Sequence, residues 1–505
     1  MKKILLSLVA AILLAGVAHA ETFNVTRMDD PVPDGCKVSD CSLREAVTDA
    51  DQTVEKDTIS LPAGVYLINL NGNDTSDTGD LDISTDMEIS GAPSIIDGQN
   101  LGRIMDIRSD AKVTLRDLTL RNANTSLDTN GSLNGGALQI NDGSLTLDNV
   151  TFDNNSTQTL GGAIYTIGDP VVDVNNCLFS NNSGGSGSAI YTSTGITVRN
   201  TVFQGNNASR RSAVYLAGNT SDSLFENVTL DKNLATGSGG GILFLGRTLF
   251  IDGLMAAGNK SNGGSAGVLL TTGTAHVKRV EIVNALFESN TAFKDGGAIS
   301  IAGNSDTLDI RHSSFINNVA TNNGGALYLT GGEVNVTNDT FSGNQATGNG
   351  GAIYLYSAAL NLRHATLTAG SANRGNALYV GSTTSSAEMA NNLIDGDCYI
   401  TNADTMTSLG GNVEGGGDSC ELNAGSDLVG QNAMQLGLHA LGDNTGGTPT
   451  HKLTIASVAR GQGEPAICEL VMIDQLFMPR GTPCNSGADE SDTVFRDSFE
   501  SSSTL

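Results

Sequence analysis

One five-residue element, Gly-Gly-Ala-(Ile/Leu/Val)-Tyr, recurs ten times with variations. Its copies start at Gly135, Gly161, Gly187, Arg211, Gly239, Ser265, Gly296, Gly324, Gly350 and Gly375. Successive starts lie 24 to 31 residues apart, and the sequence between them is strand-like with no helical period. A unit this short cannot bury an apolar face alone and must stack on copies of itself, so each repeat should be one coil of a solenoid. The expected fold is all-β: a right-handed parallel β-helix from about Gly135 to about Val380, with an N-terminal cap and an irregular, disulfide-containing C-terminal region.

Aligning the ten copies predicts which side chains face in. The fourth position reads Leu138, Ile164, Ile190, Val214, Ile242, Val268, Ile299, Leu327, Ile353 and Leu378. Two residues on, Ile140, Leu216, Phe244, Leu270, Ile301, Leu329, Leu355 and Val380 keep that face apolar, as the two-residue period of a strand requires. A second landmark, Phe-x-x-Asn, runs from Phe152-Asn155 to Phe341-Asn344. Stacked Phe fills a core, and stacked Asn forms a hydrogen-bonded ladder along the axis. Three residues before the Phe lies another polar column, Asn149, Asn176, Asn200, Asn227, Asn284, His312, Asn338 and His364. Asn tolerates the left-handed conformation that a coil needs at its corners, so this is a second turn ladder.

The ends of the chain read differently. Lys2 and Lys3, the apolar run from Ile4 to Val17 and Ala18-His19-Ala20 form a secretory leader, so the mature chain starts at Glu21. No other apolar run approaches the length of a membrane span. Asp and Glu number 54 against 27 Lys and Arg, and such a polyanion repels nucleic acid and anionic lipid. Seven cysteines in an exported chain imply disulfides with one thiol left over. Local spacing offers Cys36 with Cys41, Cys398 with Cys420 and Cys468 with Cys484, although spacing alone leaves other connectivities open. Cys177 remains, in a column shared with Val150, Val228, Leu254, Ala285 and Ala365, where it reads as a small buried hydrophobe.

Before the coils, Leu43, Ala46, Val47 and Ala50 share one helical face, as expected of a helix that covers the open end of a solenoid. Cys41-Ser42-Leu43-Arg44-Glu45-Ala46 resembles the CSLREA domain of secreted bacterial proteins, and the resemblance continues through Gly79-Asp80-Leu81-Asp82-Ile83 and Ile95-Ile96-Asp97-Gly98. The Gly-Gly-Ala and Phe-x-x-Asn elements resemble the repeats of the polymorphic outer membrane protein family. These resemblances imply a β-helix at a cell surface or released from it, with adhesin-type roles in the second family. No recognisable autotransporter barrel accompanies them, so self-export is not implied. Leu441-Gly442-Asp443-Asn444-Thr445-Gly446-Gly447-Thr448-Pro449-Thr450-His451, with Asp474, Arg480, Cys484, Gly487 and Glu490, resembles the choice-of-anchor Q domain. The expected organisation is a leader over 1–20, the cap and first coils over 21–110, the repeats over 111–395, an anchor-like region over 396–490 and a flexible tail over 491–505.

Three groups of side chains suggest chemistry. Tyr165, Tyr191 and Tyr215, and again Tyr328, Tyr354 and Tyr379, occupy an outward column in consecutive coils. At about 4.8 Å per coil, each triplet should form a flat aromatic patch for sugar rings or partner side chains, or else a ladder that stabilises the sheet. Asp74, Asp77, Asp80 and Asp82 could supply oxygen ligands to a structural calcium ion, though their spacing matches no EF-hand or nonapeptide repeat. Arg311-His312 and Arg363-His364 are equivalent pairs two coils apart, about 10 Å, too distant for a direct proton shuttle.

The β-helix scaffold is shared by pectate lyases and polygalacturonases. Lyase chemistry needs an Arg or Lys base beside acidic groups, and hydrolysis needs a carboxylate pair. No coil concentrates Asp with Arg or Lys, no polygalacturonase signature occurs, and Trp is absent. The expectation is a monomeric, secreted protein, extracellular or at an outer-membrane-associated cell surface. It should be non-enzymatic, adhesin-like or structural, binding glycan or surface protein along its lateral face. The alternative is a polysaccharide lyase or glycosidase.

Overall fold

A computed structural model describes residues 19–70, 78–127, 132–218, 221–272, 278–303, 306–444 and 447–490. The core of the leader, Asp74, Asp77, positions 445 and 446 of the anchor-like motif and the tail lie outside the described residues. The chain winds as a right-handed solenoid whose strands pair in parallel into sheets of 27, 13 and 7 strands. The largest sheet is two ladders joined in the early coils, where Met87–Asp97, Lys112–Arg121 and Ser144–Asp153 are single long strands. Later coils split this strand in two. The corner falls at Asn176, Asn200, Asn227, Asn284, His312, Asn338 and His364, all at positive φ as the second polar column predicts.

Register is kept residue for residue, with Ile164 opposite Ile190 and Phe179 opposite both Phe152 and Phe203. Inward residues are fully buried, and the rings stack along the axis: Phe152 on Phe179 at 4.9 Å, Phe287 on Phe315 at 4.7 Å and Phe315 on Phe341 at 4.8 Å. One coil departs from the sequence alignment. The strand Leu269–Thr272 sets Leu269, not Val268, in the inward column, and Leu270 faces outward opposite Leu243. The coil starts one residue late because Ala266, at φ 60°, takes the corner that glycine fills in most other coils. In three coils the second inward position is a threonine, Thr166, Thr192 or Thr271, each buried; Thr166 hydrogen-bonds to Thr192 at 3.1 Å.

The axial asparagine ladder spans eight coils. Each side-chain amide from Asn155 through Asn182, Asn206, Asn233, Asn259, Asn290 and Asn318 donates to the Oδ1 of the next, ending at Asn344. The same Oδ1 accepts the backbone N–H of the preceding Asn, and the second amide proton goes to a backbone carbonyl such as that of Phe152 or Phe179. From Asn155 to Asn318 every donor in this dry column is thereby satisfied. Cys177 is buried as expected, its thiol pushed up to about 12 by desolvation. Its column also contains Asp339, which accepts from the Ser313 N–H at 2.7 Å and is raised well above the usual carboxylate range by complete burial.

The coils extend beyond the ten visible repeats. Leu81–Ile83 and Met105–Ile107 precede them in the 13-stranded sheet, and Cys398–Ile400 follows them. The adjoining ladder continues through Met406–Gly410 and Val413–Gly415 to Leu428–Gln431. These coils lack the Gly-Gly-Ala corner, so the alignment does not find them. At the N-terminal end the helix Leu43–Ala50 begins with a Ser42/Glu45 capping box and lies on the strands Asp57–Leu61 and Leu81–Ile83. Arg44 is buried with it, forked onto Asp30 at 2.7 and 2.9 Å and donating to the carbonyls of Asp80 and Gly79. Asp30 in turn accepts the N–H groups of Asn69 and Leu70, so one ion pair ties cap to coil. The disulfides are Cys36–Cys41, Cys398–Cys420 and Cys468–Cys484.

Three substitutions test the stability of coil and cap. Asn206→Ala removes the acceptor of two buried donors on Asn182 and should cost about 2–5 kcal/mol, seen as faster hydrogen exchange in the coils around Asn182 and Asn206. Asn200→Ala, at the exposed corner of the same coil, should cost about 1 kcal/mol. Arg44→Ala leaves the Asp30 carboxylate buried without its cation and should cost about 3–5 kcal/mol, read as loss of protection in the cap while the central coils are unchanged.

Candidate functional site

The outward column of the 13-stranded sheet runs from Gln139 through Tyr165, Tyr191 and Tyr215 to Leu243 and Leu270, then through Ser300 to Tyr328, Tyr354 and Tyr379. The shifted coil thus joins the first tyrosine triplet to two leucines in one apolar stripe, closed over by Ala266 and Leu245. The second triplet gains a fourth member, Tyr399, which the sequence alignment misses because its strand begins with Cys398 and lacks the glycine corner.

The rings of the second group stack on one another, at 5.2 Å for Tyr328–Tyr354, 5.0 Å for Tyr354–Tyr379 and 5.2 Å for Tyr379–Tyr399, tilted by no more than 13°. Tyr354 and Tyr379 therefore turn both ring faces to neighbours. The flat patch expected for stacking sugar rings is absent there, because strand spacing close to ring-stacking distance favours tyrosine against tyrosine. A partner instead meets ring edges and hydroxyl groups. In the first triplet Tyr165 stacks on Tyr191, while Tyr215 meets Tyr191 edge-on at 73°. Arg374 caps the long stack, its guanidinium 4.8 Å from the Tyr399 ring and donating to the Tyr399 hydroxyl. Partial burial raises the Tyr328 hydroxyl and carries that of Tyr354 to about 12, so both stay neutral hydrogen-bond donors.

A shallow trough lies on the larger sheet. Arg279, Asp309, Arg311, Asn335, Asn361 and Arg363, from four successive coils, line a depression of about 240 Å³. Stacking of successive coils brings together Asp and Arg side chains that no repeat by itself was expected to concentrate. Each guanidinium there is paired: Arg279 with Glu281 and Asp309 at 3.4 Å, Arg311 with Glu281, and Arg363 with Glu388 at 2.8 Å. Asn335 and Asn361 continue the network through Asp309.

The described part of the acidic run is committed to arginine. Asp80 takes the Arg103 guanidinium at 2.7 Å and Asp82 that of Arg108 at 2.7 Å. One other group of metal-type side chains occurs among the described residues, His364 with Cys468 and Cys484. Its two sulfurs are joined in a disulfide and offer no thiolate.

The histidines sit where the C-terminal segment crosses the outer turn ladder. His312 stacks on Phe477 at 4.4 Å, and His364 lies against Asn391 beside the Cys468–Cys484 bridge. Between them Asn338 accepts from Arg480 at 2.7 Å and donates to the Ile473 carbonyl. Both are corner residues, as their column predicts; their docking partners come from far along the chain and leave no local signal.

Residues 135–341 match the family model described as a right-handed beta helix region, and residues 340–356 match that of the Chlamydia polymorphic membrane protein repeat. No curated protein matches the chain. Among solved structures it is similar to a rhamnogalacturonan lyase, at 10% identity over 83% of this chain and 92% of that one with a TM-score of 0.34. It is also similar to a pectate lyase, at 12% identity over 94% and 98% with a TM-score of 0.32. Overlaps this loose say nothing about activity. No helix among the described residues is long and apolar enough to cross a membrane, which says nothing of a β-barrel. The chain thus carries a right-handed β-helix region with a polymorphic-membrane-protein-type repeat.

Proposed function

We propose that this is a secreted or cell-surface β-helix protein, adhesin-like or structural and non-enzymatic, that binds glycan or protein partners along its lateral face. The observation that carries the reading is the tyrosine comb. Tyr328, Tyr354 and Tyr379 present half-buried rings in register, and among the described residues their hydroxyls have no protein hydrogen-bond partner. Rigid stacked rings expose polar tips at low entropic cost, which suits hydroxyl-rich or peptide ligands. The resemblance of Cys41–Ala46 to the CSLREA domain and the leader-like first twenty residues support export, and the matched repeat supports a surface location. The anchor-like motif around Gly442–His451 supports attachment to a cell surface.

The alternative, a polysaccharide lyase or glycoside hydrolase, has one observation in its favour: the Arg–Asp trough around Arg279, Asp309 and Arg363. Its arginines are all engaged by carboxylates, which leaves none turned free toward a substrate proton. A screen for reducing sugar and unsaturated uronate separates the readings, since turnover abolished by Arg279→Ala or Asp309→Asn would establish the enzyme.

Binding to a glycan array or to cells should fall about tenfold or more when Tyr328, Tyr354 and Tyr379 are all changed to Ser. The triple Tyr→Phe variant, which keeps the stack and loses only the hydroxyls, should lose about 1 kcal/mol per hydrogen bond made. Unchanged binding by the Ser variant would remove the comb from the account.

A further inference from the structure

Residues 448–490 form a strap across the outside of four coils. Beneath it the outward side chains of Ser314–Ile316, Thr340–Ser342 and Thr366–Thr368 are buried, whereas the equivalent strands Leu286–Glu288, Met255–Ala257 and Thr229–Asp231 are partly open. Contact between strap and coils is largely polar. Gln475 accepts from Thr340 at 2.6 Å and donates to Ser314 at 2.7 Å, Ser314 donates to the Pro449 carbonyl, and the Ala488 N–H donates to Thr366. The strap's share of the apolar cluster beside it is small, Leu453 and Ala459 against Leu393, Val413 and Leu436. A segment held this way opens more readily than the coils beneath it.

Three of the six histidines in the chain meet at this contact. His312 is under Phe477, His364 is fully buried beside Asn391, and His451 of the strap bonds to Ser342 of the coils at 3.0 Å. Arg480, whose side chain is buried, reaches Asn338 in the corner column between His312 and His364. A proton on either imidazole would be buried beside that cation.

We propose that segment 448–490 is an acid-released strap, docked while His312, His364 and His451 are neutral and leaving the coil face when they take up protons. Burial holds all three below their ordinary value of 6.5, and Arg480, Arg311 and Arg363 push the corner pair further down. The docked state therefore binds fewer protons than the open one. Docking is fully present above pH 6.5 and weakens as the pH falls below it, by up to about tenfold per histidine per pH unit. Other groups at the contact are Asp474, Asp489 and Glu490 beside Arg480, Asp395 near His451, and Asp339 inside the coil. Asp474 and Glu490 are raised by burial from 3.8 and 4.5, so their own protonation favours docking and opposes release at the acid end of the window. Burial raises Asp339 well above 3.8, and the groups that act on it, Ser313, Thr337 and Arg311, belong to the coils.

Hydrogen exchange of the full chain from about pH 7.5 to about pH 5, corrected for intrinsic rates, tests this. Peptides from 448–490 and from 313–316 and 340–342 should open together on acidification, by tenfold or more, while those of the coils from 145 to 230 do not change. His312→Asn with His364→Asn uses the residue that the corner column carries elsewhere, so the fold is retained, and it should flatten most of the response. Equal opening at both pH values, or an undiminished response in the double variant, overturns the proposal. Histidine C2 exchange in the unaltered chain is an independent reading, and values at or above 6.5 for His312 and His364 would also overturn it.

Discussion

The structure depends on coils repeating in strict axial register, and the buried asparagine ladder is the interaction that enforces it. Each amide in the column needs the one above and the one below; a coil displaced by one residue would leave both donors of its neighbour dry and unpaired. Stacked phenylalanines and the aliphatic columns supply most of the burial, but burial is tolerant of small slips, whereas a hydrogen-bonded ladder is not. With register fixed on the inside, outward residues are lined up whether or not they interact.

That alignment produces both candidate binding surfaces. The tyrosine comb exists because one outward position per coil holds the same residue at a spacing near ring-stacking distance, so the rings satisfy one another and show only edges and hydroxyls. The trough exists because arginines and carboxylates in different coils fall side by side, and it is held together by the ion pairs that also occupy its cations. Both are long, shallow and rigid. Such a surface suits an extended ligand contacted at several points better than a small molecule enclosed in a pocket.

The two ends close the solenoid differently. At the N-terminus a short helix packs on the first strands and the buried Arg44–Asp30 pair ties it down. Toward the C-terminus the chain folds back over earlier coils, and its contacts are hydroxyls, amides and neutral histidines. The first closure is tied by a buried ion pair. The second is tied by groups that include the side chain most sensitive to mild acid.

The period, the inward columns, the positive-φ corners, the asparagine ladder and the burial of Cys177 are all readable from the sequence, because each is set by residue type at a fixed offset within a repeat. Where one coil departs from the motif, alignment fails: Ala266 replaces the corner glycine and shifts Leu270 to the outside, and Tyr399 follows a cysteine rather than the usual element. Contacts between coils are harder still, since which carboxylate reaches which guanidinium depends on register, rotamer and coil length together. The pairing of Asp80 with Arg103, the face-to-face tyrosines and the strap over His312 and His364 were decided only in three dimensions. The sequence alone determined what one coil is and, wherever the motif is kept, which way its residues point. The tertiary structure decided what those residues touch, because their partners lie one coil or more than a hundred residues away.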